Sequence, residues 1–74
     1  MREIYKVYQY TEINLEKIIE GLFVIPEIAG GLETAKAYVM ENEGEYIIVK
    51  ESREGENIKI KIMNKDILLG RCKA

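Results

Sequence analysis

The tightest constraint in this chain is a run of five residues, Ile58-Lys59-Ile60-Lys61-Ile62. Successive side chains on a strand point to opposite faces, so the run puts three isoleucines on one face and two lysines on the other. A helix would spread the same residues around its circumference. The run predicts a strand in an antiparallel sheet, one face packed and the other open to solvent or to a partner.

Its surroundings extend the pattern. Tyr46-Ile47-Ile48-Val49 and Ile67-Leu68-Leu69 predict two further strands, with Ser52-Arg53-Glu54-Gly55 and Asn64-Lys65 as the turns between the three. Pairing Val49 with Ile58, Ile47 with Ile60, Ile62 with Ile67 and Ile60 with Leu69 gathers all of these apolar side chains on one face. A slip of one residue would scatter them. That isoleucine face is expected to be the core. The opposite, outer face carries Tyr46, Ile48, Lys50, Lys59, Lys61, Met63, Leu68 and Gly70.

The first half supplies the rest of the fold. Residues 2–10, rich in β-branched and aromatic side chains, predict a strand. Helix signals follow: Thr11 or Asn14 as N-cap, Gly21 as terminator, and an apolar stripe of Leu15, Ile18, Ile19 and Leu22 at helical spacing. Residues 23–31, with Pro26 and Gly30-Gly31, break regular structure and are expected to form a buried connector. A second helix is expected over roughly 32–42. At 74 residues the chain has room for one small core, so residues 1–74 form a single domain. The expected fold is α+β, in the order β-α-α-β-β-β: a mainly antiparallel sheet of three or four strands with two short helices on one face.

Composition excludes several chemistries. There is no histidine, so neither a Ser-His-Asp nor a Cys-His nucleophile can be assembled within one chain. The single cysteine, Cys72, has no internal disulfide partner and no companions for a metal site. No phosphate-binding or dinucleotide-binding glycine motif occurs. Gly30-Gly31 ahead of a helix reads as a chain reversal, because Glu33 competes with any anion there. No enzyme activity, cofactor or metal is expected. The longest uninterrupted apolar run, Leu22-Phe23-Val24-Ile25, is far short of a membrane span, and no signal peptide is expected, which points to the cytoplasm. Twelve isoleucines, twelve glutamates and eight lysines fit either a thermophilic source or an AT-rich genome.

Charge divides unevenly. Residues 1–44 hold four bases and eight acids (−4), and residues 45–74 hold seven bases and five acids (+2). The acids include Glu12, Glu16 and Glu20, at i, i+4 spacing on the solvent side of the first helix. They form either a solubilising surface or an acidic face for a basic partner.

The outer sheet face is the main candidate site: Tyr46, Ile48, Lys59, Lys61, Met63 and Leu68. An apolar patch mixed with charge suggests contact with another surface. The expected function is a non-catalytic binding module, a protein-interaction or inhibitory protein of viral or mobile-element type that acts as a homodimer and on a protein target. The alternative is a nucleic-acid-binding regulator that stacks bases on Tyr46 and holds phosphates with Lys59 and Lys61.

Overall fold

The computed structural model describes residues 2–71; the expectation for Cys72 falls outside these residues. Strands β1 (Arg2–Gln9), β2 (Ile28–Gly30), β3 (Tyr46–Glu54) and β4 (Asn57–Asn64) form one sheet in the order β2-β1-β3-β4. Every neighbouring pair is antiparallel. Helices α1 (Glu12–Ile19), α2 (Leu32–Glu41) and the short α3 (Lys65–Leu68) complete a mixed α+β fold.

Local chemistry explains the helix ends. Thr11 is the N-cap of α1, its hydroxyl accepting from the Asn14 amide at 2.9 Å, while the Asn14 side chain donates back to the Gln9 carbonyl at 2.8 Å. Asn42 closes α2, its side-chain amide donating to the Tyr38 carbonyl at 2.9 Å.

The connector is more ordered than expected and is not buried as expected, with Phe23 and Ile25 both largely exposed. Ile28–Gly30 pairs with Tyr5–Val7 as a three-residue edge strand. A chain at the edge of a sheet can pass from one face to the other, and this one does. Leu15 and Ile18 of α1 pack with Tyr8, Ile47 and Val49, whereas Ala35 and Val39 of α2 pack with Tyr5, Val7, Tyr46, Ile48 and Met63. These two sets alternate along the strands, so α1 and α2 lie on opposite faces and not on one.

The last strand is also corrected. Ile67-Leu68 belongs to α3, which follows β4 directly. The Asn64 side chain caps it by accepting from the Ile67 amide at 2.8 Å. Gly70, with φ +73°, ends it: the Gly70 amide donates to Ile67 and the Arg71 amide to Asp66, the paired bonds of a Schellman closure. A chain committed to that cap and that closure cannot also run as a hairpin strand. Leu68 consequently drops into the core beneath α3.

The β3–β4 hairpin keeps the expected partition of side chains but in a different register. Val49 pairs with Ile62 and Arg53 with Ile58, four residues along from the expected pairing. An even slide leaves every side chain on its face. The loop shrinks to Gly55-Glu56, with Gly55 at φ +62° and Glu56 outside the positive-φ region. That is the pattern of a type II′ turn, whose twist suits a hairpin. Gly55→Ala meets no neighbouring atom, so its penalty is that of the backbone alone. We expect a loss of about 1 kcal/mol and a melting point lower by about 4–8 °C, measured by thermal denaturation.

Candidate interaction surface

The alternation of residues along β3 and β4 creates two faces, and the larger core lies under the one not expected. Tyr46, Ile48, Met63 and Leu68 are buried beneath α2 and α3, with Ile48 fully enclosed. They are therefore not an outer binding face. Tyr46 is held on both sides: its hydroxyl donates to the Asn42 carbonyl at 3.1 Å, and its ring meets Tyr38 edge-on at 5.7 Å. Lys59 and Lys61 share this face but remain exposed on β4, the edge strand. No exposed aromatic ring of the expected site stands beside them.

The isoleucine face is the open one. Ile58, Ile60 and Ile62 are 52%, 62% and 42% exposed, and Ile4 on β1 adds to the same side. The reason is coverage. Helix α1 has eight residues and none fully buried, enough to shelter Tyr8, Ile47 and Val49 but not the far half of the sheet. Among the described residues, thirteen large apolar or aromatic side chains are exposed, against eleven apolar residues in the core. Scattered exposed leucines are ordinary, but a row of three isoleucines on one strand is a contiguous patch.

A groove of about 350 Å³ runs along this patch. Tyr8, Val49 and Ile60 form its floor, and Leu22, Phe23 and Val24 of the α1–β2 connector form its wall. Phe23, at 83% exposure, is the most open large apolar side chain of the described residues. The ion pair of Lys6 with Glu51, 2.8 Å long, also lines the groove. Its hydrogen bond to Glu51 holds the Lys6 ammonium above the usual lysine range, and burial raises the Tyr8 hydroxyl.

A second ion pair, Lys50 to Glu3 at 2.9 Å, lies on the opposite face, with the Lys50 ammonium 5.9 Å from the centre of the Tyr5 ring. The bond to Lys50 holds the Glu3 carboxyl below its ordinary range. Both pairs link β1 to β3 and so join the acidic half of the chain to the basic half. The division of charge along the sequence is thus not a division between faces.

No protein-family model, curated protein or solved structure matches this chain.

The remaining candidates keep their exposure. Glu12, Glu16 and Glu20 all face solvent on α1 or its cap. Among the described residues no group of three or more histidine, cysteine or acidic side chains is placed to hold a metal ion, and no helix is long and apolar enough to cross a membrane. The sequence pattern missed the groove because Phe23, Leu22 and Val24 lie in a segment with no period. Only the fold sets them against Tyr8, Val49 and Ile60.

Proposed function

We propose that this chain is a non-catalytic protein-interaction module whose working surface is the isoleucine side of the β3–β4 hairpin together with the groove beside it. One observation carries this: Ile58, Ile60 and Ile62 stand in a row on a regular strand and remain about half exposed. Covering each of them would contribute on the order of 1 kcal/mol, enough together to drive a docking event. The homodimer expected through Tyr46, Ile48, Met63 and Leu68 has no surface there, since those residues form the core.

Photo-cross-linking in cells that express the protein tests the reading. A photoreactive residue at position 60 should yield discrete protein adducts, and one at Lys36 on α2 should not. Ile58→Ser and Ile62→Ser, introduced together with the position-60 probe, should abolish the adducts while leaving the unfolding free energy within about 1 kcal/mol of the parent. Equal labelling from positions 60 and 36, or adducts indifferent to the two serines, would refute the assignment.

A further inference from the structure

The sheet has two edges of very different kind. β2 offers three residues, whereas β4 offers eight, and all of Asn57–Ile62 is exposed. The hairpin fixes which backbone groups of β4 are free. In a two-residue loop the closing residues, here Glu54 and Asn57, exchange hydrogen bonds with each other, and bonded residues then alternate along the ladder. Asn57, Lys59, Lys61 and Met63 therefore turn their amides and carbonyls toward β3. Ile58, Ile60 and Ile62 turn theirs outward. The Tyr10 amide donating to the Glu45 carbonyl at 3.0 Å continues the same alternation on the other side of β3. Among the described residues the edge thus carries three free amide–carbonyl sets, each on a residue whose side chain lies on the open apolar face.

A second copy of the chain is a poor occupant. Two β4 strands related by a two-fold axis can pair about Lys59, about Ile60 or about Lys61 and still place at least two isoleucines of each copy against each other. The first register sets Lys59 opposite its own copy, the second sets Lys59 opposite Lys61, and the third sets Lys61 opposite its own copy. Like charges directly opposed across strands destabilise the pair. Inside the fold Lys50 also lies opposite Lys61, but its ammonium is bonded to Glu3, and β4 has no carboxylate of its own to play that part between two copies. Edge lysines oppose self-pairing in this way, yet they leave the isoleucine side unguarded.

We propose that the β4 edge accepts an extended segment of a partner protein as a fifth strand, and that this segment alternates apolar with acidic side chains. Its backbone bonds to Ile58, Ile60 and Ile62, its apolar residues join those isoleucines on the open face, and its carboxylates meet Lys59 and Lys61 on the other. This rests on the reading of the isoleucine side as an interaction surface.

The probes are ten-residue synthetic peptides of alternating valine and glutamate, or valine and lysine, titrated into isotopically labelled full-length protein and followed by amide NMR. The valine–glutamate peptide should slow hydrogen exchange at the Ile58, Ile60 and Ile62 amides and bind at least tenfold more tightly than the valine–lysine peptide. Lys59→Glu with Lys61→Glu should reverse that preference, and N-methylation of the peptide amides that face β4 should abolish binding. Equal affinity for the two peptides would overturn the proposal. So would exchange at Ile58, Ile60 and Ile62 that slows with protein concentration alone, because the occupant would then be a second copy. Perturbation at Leu22, Phe23 and Val24 without protection of the three amides would overturn strand addition while leaving the groove as the interaction surface.

Discussion

Ile48→Ala is expected to destabilise the fold by about 2–5 kcal/mol, whereas Ile60→Ala, on the neighbouring strand, should change stability by no more than about 0.5 kcal/mol. Ile48 is fully enclosed, paired across the sheet between Val7 and Met63, and covered by Ala35 and Val39 of α2. Removing its outer carbons leaves a cavity that rigid strands on both sides cannot close. Ile60 faces solvent on the other side of the sheet and loses little that was sheltered. Urea denaturation of the two variants measures both values. Comparable losses would mean that the face lined by Ile58, Ile60 and Ile62 is packed as tightly as the face beneath α2. A small domain has only a few kcal/mol of net stability, so Ile48→Ala should also lower the melting point by about 10 °C or more.

Leu68→Ala is the second large effect, again about 2–5 kcal/mol. Leu68 is the buried side chain of α3 and closes the end of the core against Met63 and Tyr46. The cost depends on the helix that delivers it, so Asn64→Ala should reproduce part of the loss, about 1 kcal/mol, by removing the acceptor for the Ile67 amide. Asn64→Asp retains that acceptor and should recover most of it. If residues 67–69 ran as a strand, the side chain at position 64 would have no such bond to lose, and Asn64→Ala and Asn64→Asp would be indistinguishable in denaturant midpoint.

The sequence made some of this legible for a definite reason. Which side chains share a face depends only on the parity of their separation, so the division into Ile47, Val49, Ile58, Ile60 and Ile62 against Tyr46, Ile48, Lys59, Lys61 and Met63 survived a pairing that was off by four residues. Which of the two faces is buried depends on where the helices go. Nothing in the hairpin specifies that: the more apolar face was left open because α1 is too short to cover it, and the lysine-bearing face was buried because α2 and α3 arrive there. Three apolar residues in a row, Ile67-Leu68-Leu69, fit a strand or a helical turn equally well by period. The flanking pair Asn64 and Gly70 held the answer, being the same kind of cap and terminator that identified α1 between Thr11 and Gly21. β2 had no signal, because three residues that end in the first of two glycines carry no period at all. The candidate site fared worst for the same reason as the core: Lys59 and Lys61 stay at the surface, but Tyr46, Ile48, Met63 and Leu68 exchanged places with the isoleucines.

The strand that anchors the fold is nearly symmetric under translation. Sliding Ile58-Lys59-Ile60-Lys61-Ile62 by two residues against β3 returns isoleucine to isoleucine and lysine to lysine, so the interior of the hairpin scarcely distinguishes the native pairing from a misregistered one. Discrimination is left to the ends, where the two-residue turn needs the positive φ of Gly55 and where Met63, followed by the Asn64 cap of α3, must lie opposite Ile48 in the core. The hairpin behaves like a vernier scale, repetitive along its length and read at its terminal marks. A change at either mark therefore acts on the alignment of the whole strand, and with it on which backbone groups the open edge presents.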